Sequence, residues 1–77
     1  MHRSLTLPAN LADRPAHSRA LIIHRIERNV TAVQVAAVMG CTQSYVASIE
    51  NGISPASAAQ LTRIHEAIDT AADRSDR

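Results

Sequence analysis

The apolar residues of the chain recur with the spacing of amphipathic helices. Ile22 and Ile26 lie four positions apart, and Leu21 and Ile23 widen the same apolar stripe. Arginine and glutamate side chains occupy much of the remaining surface. This pattern predicts a helix from about Ala16 to Asn29.

A second long apolar period lies near the carboxyl end of the chain. Its members recur at spacings of three and four: Leu61, Ile64, Ile68 and Ala71. We predict a helix from Ala58 to about Ala71, with Ser57 as its N-cap. The two periods together favour an all-α fold.

Two shorter helices are predicted between these segments from their capping residues. Thr31 and Thr42 can each accept a hydrogen bond from an unpaired backbone N–H at a helix start, and Gly40 suits a left-handed helix end. The predicted helices are Ala32–Met39 and Gln43–Glu50, and an Asn-Gly pair ends the second. Two short helices joined by a short turn that includes glycine are typical of a helix-turn-helix motif.

These elements predict one small domain of about four helices. Residues 1–15 contain two prolines and are predicted to form an irregular N-terminal arm. Residues 16–72 are predicted to form the domain, with its helix-turn-helix core at residues 31–52. Residues 73–77 are charged and are predicted to form a flexible tail.

The charge of the chain adds little to this picture. Its net charge is +1, which by itself does not indicate a nucleic-acid partner. Residues 1–30 carry five Arg against two acidic residues, a charge of +3, whereas residues 31–77 carry three Arg against five acids, a charge of −2. Near the N-terminus, Arg3, Arg14 and Arg19 either approach DNA, as some N-terminal arms do, or remain in solvent.

Other residue patterns exclude several classes of function. No apolar run is long enough to span a membrane and no signal peptide is evident, so we predict a cytoplasmic protein without membrane contact. Cys41 is the single cysteine, cannot form an internal disulfide and is predicted to be a core residue. The four His residues lack metal-ligand spacing. Among them, His65 is expected to be a satisfied histidine, with its ring nitrogens hydrogen-bonded, or an interface histidine. With no Gly-rich phosphate loop or nucleophile elbow, we predict no enzyme activity, no metal and no cofactor.

The helix-turn-helix geometry accounts for the polar residues at the start of the predicted helix 43–50. In this motif the second helix lies in the major groove of double-stranded DNA, and its N-terminal residues reach the base edges. The amide of Gln43 can form paired hydrogen bonds with adenine, and Ser44 can bond to a base or a phosphate. Alternatively, both are ordinary exposed residues of a first helical turn.

The segment TAVQVAAVMGCTQSYVASIENG, residues 31–52, resembles the helix-turn-helix of the lambda-repressor/Cro-like regulators, the xenobiotic-response-element type. That family has an LA-x3-G turn followed by a Ser/Thr-Gln-Ser-Tyr-Ile-Ser-x-Ile-Glu-x-Gly helix. The matching residues are Val35, Ala36 and Gly40, then residues 42–46 and 49–52. The resemblance extends over about residues 20–68 and implies a lambda-repressor-like fold that binds DNA through its major groove.

The resemblance implies DNA-binding roles for a set of residues, most of them on the third helix: Thr42, Gln43, Ser44, Tyr45, Ala47, Ser48, Asn51, Arg25 and Thr31. Tyr45 and Asn51 would contact phosphates, or Tyr45 would only cover the edge of the core. Arg25 would pair with Glu50 and offer its remaining donors to a phosphate. Alternatively, this pair would be purely structural.

The sequence departs from the family pattern at the second helix. Ala32 occupies the position of a phosphate-contacting Gln, for which Thr31 is a partial substitute. Val33 and Ala37 give the same helix an apolar outer face. The fifth helix of the family, which often forms its dimer, is not predicted here, so the dimer surface is left open.

Two functions from different classes are consistent with these residues. The first is a sequence-specific transcriptional regulator, a small repressor or Cro-like protein of phage or mobile-element type, which would bind DNA as a homodimer. The second is a protein-binding adaptor, such as an antitoxin or anti-repressor, whose partner would contact the apolar outer face of the second helix.

Overall fold

The structure is a computed structural model that describes Leu7 and residues 10–75. A short 3-10 turn at Leu11–Asp13 precedes four α-helices: α1 Ala16–Glu27, α2 Ala32–Met39, α3 Gln43–Glu50 and α4 Ala58–Ser75. The described part of the chain contains no strand. The predicted all-α fold of about four helices is confirmed.

Local capping interactions determine where α2 and α3 begin. The Thr31 hydroxyl accepts the Gln34 N–H at 3.2 Å, and the Gln34 side-chain oxygen accepts the Thr31 N–H at 2.8 Å. This reciprocal pair satisfies two donors that would otherwise be unpaired at the start of α2. The Thr42 hydroxyl likewise accepts the Tyr45 N–H at 3.2 Å. Both predicted caps are therefore confirmed.

The end of α1 lies two residues before the predicted one. The helix ends at Glu27 because Asn29 adopts the left-handed conformation, with φ 57°. Asparagine tolerates this conformation better than most residues do. The reversal directs Val30 into the core, where its side chain is fully buried.

The end of α4 lies beyond the predicted one. The helix continues to Ser75 because the alanines at positions 71 and 72 are still buried and an ion pair at 3.4 Å joins Asp73 to Arg28, the C-cap of α1. This corrects the predicted tail, since residues 73–75 belong to α4. Residues 76–77 lie outside the described part of the chain.

An aliphatic core holds the four helices together. Its fully buried large side chains come from every helix and from the α1–α2 connection: Leu21, Ile22, Val30, Val35, Val46, Ile49, Ile64 and Ile68. Helix α4 packs against α1 and α2, and α3 packs against the same two helices. Cys41, predicted as a core residue, is only partly buried and packs against this cluster without belonging to its buried centre. Because branched aliphatic side chains fill the centre, the position of α3 depends on their close fit.

A histidine pair joins α1 to α4 at the edge of the core. The Nδ1 atoms of His24 and His65 lie 2.7 Å apart, and His24 Nε2 lies 2.9 Å from Asp69 Oδ1. Arg28 Nε approaches the same carboxylate oxygen at 3.3 Å. A hydrogen bond between two ring nitrogens requires one N–H and one lone pair, so it cannot form when both rings are protonated. His65 is therefore a satisfied histidine, as predicted.

Acidification is expected to destabilise the fold through this pair. Burial lowers the pKa of His65, His24 lowers it further, and Asp69 opposes the shift. As the pH falls through the ordinary histidine pKa of about 6.5, His65 therefore binds a proton more readily in the unfolded chain than in the folded one. The contribution of His65 to stability is complete above that pH and is lost as the pH falls. Urea unfolding at a series of pH values measures this loss.

Two variants separate this effect from general acid destabilisation. His65→Gln removes the titrating group and should flatten the dependence of the unfolding free energy on pH. His17→Gln, on α1 but outside the histidine pair, is the matched control and should retain the pH dependence that the pair produces. A slope in His65→Gln equal to that of the original protein would contradict the assignment.

Candidate nucleic-acid interface

Helices α2 and α3 form a helix-turn-helix. Their axes differ in direction by 118° across the turn, at the upper end of the range of about 90–120° that is usual for this motif. Gly40 ends α2 in the left-handed conformation, with φ 70° and ψ 32°. A Cβ atom there would meet no neighbour, so glycine is favoured by the backbone conformation and not by lack of space.

The first turn of α3 presents its polar side chains to solvent. Gln43 and Ser44 are exposed, whereas Val46 and Ile49 are fully buried. Helix α3 therefore has an apolar face, which packs against the core, and a polar face, on which the amide of Gln43 is accessible. The side chain at position 43 is available to a ligand at the site that the sequence predicted.

Thr42 and Thr31 lie at the starts of the two helices of the motif. Thr42 is exposed and Thr31 is half-buried. Each hydroxyl oxygen accepts a backbone N–H within its own cap. A hydroxyl that accepts in this way keeps its hydrogen as a donor. Both threonines can therefore cap a helix and donate to a phosphate at once.

Arg25 of α1 and Glu50 of α3 form a bidentate ion pair. Arg25 Nε donates to Glu50 Oε2 at 2.7 Å, and Nη2 donates to Oε1 at 2.9 Å. The third nitrogen, Nη1, donates to the Val30 carbonyl at 3.1 Å. The side chains are only 15% and 8% exposed, respectively. The predicted pair is present, and it fixes the carboxyl end of α3 to α1.

Tyr45 covers the edge of the core and ends in a hydrogen bond to α4. Its side chain is half-buried against the core cluster. The hydroxyl oxygen accepts a hydrogen bond from Gln60 Nε2 at 3.0 Å. Gln60 is not among the predicted site residues, although Ser57 and Gln60 have the spacing of a capping box.

The other predicted residues of α3 lie at its flank and its end. Ala47 and Ser48 are half-buried, and Asn51 is exposed as the C-cap of the helix. Gly52 then adopts a φ of 74°, and a Cβ atom there would lie 2.7 Å from Pro15 Cδ. The glycine that ends the motif therefore permits both the backbone turn and the close approach of the arm.

The residues before and within α1 stabilise the end of α3. The Ser18 hydroxyl donates to the Ile49 carbonyl at 2.6 Å, and Arg14 Nη1 donates to the Glu50 carbonyl at 3.1 Å. Both carbonyls belong to the last turn of α3, which offers them no N–H within the helix; that of Ile49 also accepts the Gly52 N–H at 3.1 Å. Sequence reasoning missed both contacts, because no local spacing relates residues that lie more than thirty positions apart.

These contacts correct one of the two alternatives predicted for Arg14 and Arg19, the solvated side chain, whereas their approach to DNA stays a prediction. Arg14 and Arg19 both form hydrogen bonds within the protein, Arg19 to the carbonyl of Arg14. Neither is simply a solvated side chain. Arg3 lies outside the described residues.

Neither a metal centre nor a membrane-spanning helix is evident in the described ranges. No group of three or more His, Cys, Asp or Glu residues at position 7 or within 10–75 is arranged to hold a metal ion. No single helix in the same ranges is long and apolar enough to cross a membrane.

Comparison with known proteins agrees with the geometry of the motif. A family model for the helix-turn-helix of Cro/C1 type matches residues 21–74, which include most of α1 and nearly all of α4. No curated protein and no solved structure matches the chain. The matched family is one of DNA-binding regulators that are generally not enzymes. The match extends over more than half of the chain, which therefore belongs to the Cro/C1-type helix-turn-helix family, the xenobiotic-response-element family.

Proposed function

We propose that the protein is a sequence-specific transcriptional regulator that inserts α3 into the major groove of double-stranded DNA. The observation that carries this proposal is the exposure of Gln43 and Ser44 on the first turn of a helix whose far end is fixed by the Arg25–Glu50 pair. A rigid helix with accessible hydrogen-bonding groups at its N-terminus is what base recognition in this motif requires.

The proposed interface divides into base contacts and phosphate contacts. Gln43 and Ser44 read base edges, and Ser48 and Ala47 approach the groove from the flank of α3. The remaining members contact the DNA backbone: Thr31, Thr42, Tyr45, Asn51 and the two N–H groups of Arg25 that its bonds within the protein leave over. Phosphate contacts orient the helix, whereas base contacts confer sequence preference.

We further propose that the protein acts as a homodimer and as a repressor of phage or mobile-element type. One small domain makes few base contacts, and a dimer on a two-fold operator doubles them. Half-sites would then be separated by about one helical turn, about 34 Å. Specific affinity would be around 10⁻⁸ M or tighter and would fall steeply with salt concentration.

Selection of bound sequences from random duplexes tests the proposal. We expect enrichment of a two-fold symmetric sequence, and fluorescence anisotropy on that duplex should show tighter binding than on a scrambled duplex at each salt concentration. Binding to neither duplex at low salt would contradict the proposed function. Equal binding to both would contradict sequence specificity.

A protein-binding adaptor is the second candidate function. It is favoured by the apolar outer face of α2, where Val33 is 56% exposed and Ala37 is also exposed. Exposed apolar surface of this kind often marks a contact with another protein.

Replacing Val33 with glutamate is expected to abolish such a contact. Because the side chain is mostly exposed, the free energy of unfolding should change by no more than about 0.5 kcal/mol. Ala20→Glu places the same charge at an exposed position of α1 and is the matched control. Proteins captured from producing cells by each variant can be compared by mass spectrometry. A partner that both variants retain would count against the adaptor function.

A further inference from the structure

The side-chain amide of Gln60 joins the start of α4 to Tyr45 of α3. Its oxygen accepts the Ser57 N–H at 2.8 Å, while the Gln60 N–H donates to the Ser57 hydroxyl at 3.1 Å. The amide nitrogen of the same side chain donates to the Tyr45 hydroxyl oxygen at 3.0 Å. One residue therefore caps α4 and holds the phenol of α3.

The chemistry of the cap fixes the direction of both hydrogen bonds. A backbone N–H can only donate, so the atom of Gln60 that faces Ser57 must be the amide oxygen. The NH₂ group then faces Tyr45, and the phenol oxygen must accept. The hydroxyl hydrogen of Tyr45 is left to donate elsewhere. Among the described residues, none accepts it.

The surroundings of Tyr45 limit where this hydrogen can point. The ring is half-buried against the core, so the phenol is held in place by packing as well as by Gln60. Tyr45 also directly follows the exposed Gln43 and Ser44 on the first turn of α3. A phosphate oxygen is negatively charged and can only accept, and a phenol whose oxygen already accepts a hydrogen bond is a stronger donor.

We propose that Gln60 is a positioning residue for DNA binding, because it occupies the oxygen of Tyr45 and so presents the hydroxyl hydrogen to a backbone phosphate. The inference rests on the proposed function and deepens it by naming the support of one phosphate contact. Gln60 does not itself touch DNA in this arrangement. Its contribution depends entirely on the hydroxyl of Tyr45.

Gln60→Glu separates positioning from capping. The carboxylate keeps an oxygen for the Ser57 N–H, and its negative charge is favourable at the start of α4, so the melting temperature should stay the same or rise. The carboxylate has no N–H to give and accepts the phenol hydrogen instead. The Tyr45 hydroxyl then donates inward and is lost to the phosphate.

A double-mutant cycle on the full chain tests the proposal with the duplex obtained by selection. The four proteins are the original, Gln60→Glu, Tyr45→Phe and the double variant, and the dissociation constants are measured by anisotropy. We expect Tyr45→Phe to weaken binding by roughly tenfold to a hundredfold, as for loss of one hydrogen bond to a charged group. Gln60→Glu should weaken DNA binding at least as much as Tyr45→Phe does. In the Tyr45→Phe background, the same change should weaken binding by a clearly smaller factor. Repulsion between the new carboxylate and DNA is present in both backgrounds and cancels in the comparison.

Tyrosine emission gives an independent readout of the rearranged hydrogen bond. Tyr45 is the only Tyr in a chain without Trp, so the emission reports on this hydroxyl alone. A phenol that donates to a carboxylate emits weakly. The emission of Gln60→Glu should therefore fall although its melting temperature does not.

The outcomes distinguish this inference from the function on which it rests. If the original protein binds no duplex, both are overturned. If it binds and Tyr45→Phe binds equally well, or if Gln60→Glu costs the same factor in both backgrounds, only the positioning role is overturned. Even if Gln60→Glu folds poorly, equal binding by Tyr45→Phe and the original protein would still overturn the positioning role.

Discussion

Replacing Arg25 with alanine is expected to lower the free energy of unfolding by about 3–5 kcal/mol, the usual cost of removing one partner from a buried ion pair. The carboxylate of Glu50, on a side chain only 8% exposed, would lose both of its short hydrogen bonds to Arg25. The Val30 carbonyl would lose its bond to Nη1 as well. Since native proteins have a total free energy of unfolding of about 5–15 kcal/mol, the Arg25→Ala variant should retain only a small margin of stability. Chemical denaturation monitored by circular dichroism measures the loss.

The double variant Arg25→Met with Glu50→Met is the control for this prediction. It removes both charges and fills similar space, so it should be considerably more stable than Arg25→Ala. DNA binding by Arg25→Ala should weaken as well, because α3 loses its attachment to α1. Weaker DNA binding with unchanged unfolding would contradict the structural pairing and leave only a phosphate contact.

Replacing Gln43 with alanine is expected to remove about 1–3 kcal/mol of discrimination between the preferred base pair and its alternatives. The side chain is exposed on α3, so the free energy of unfolding should hardly change. Dissociation constants for the selected duplex and for duplexes with single base-pair changes measure the loss. The expected result is a preference that is relaxed at one position of the site and kept at the others.

Thr70→Ala is the matched control, because it truncates an exposed polar side chain of α4, away from the first turn of α3. It should leave both affinity and sequence preference unchanged. If Gln43→Ala instead weakens binding equally on every duplex, Gln43 contacts the DNA backbone and does not contact a base.

The parts of the fold predicted well from the sequence are those governed by neighbouring residues. The caps at Thr31 and Thr42 and the left-handed end at Gly40 each involve atoms within a few positions along the chain. The exposed first turn of α3 follows from the same local pattern. The Arg25–Glu50 pair required more than local spacing, and it was predicted only through the family resemblance.

The missed boundaries have a tertiary cause. Nothing in the apolar spacing indicated that α4 continues to Ser75, because the last turns are held by burial of the 71–72 alanines and by the contact of Asp73 with Arg28 at the C-cap of α1. Helix length here is decided by packing between helices, which contributes more than intrinsic propensity does.

The sequence by itself determined the helix-turn-helix, its caps and the polar residues that the first turn of the third helix exposes, since each depends on interactions of short range along the chain. Only the tertiary structure decided how that helix is held: Ser18 and Arg14 at its end, Gln60 on Tyr45, and the histidine pair between α1 and α4. These contacts join residues that lie fifteen to more than forty positions apart. Their partners are chosen by where the packed helices bring the side chains, a relation that no local pattern encodes.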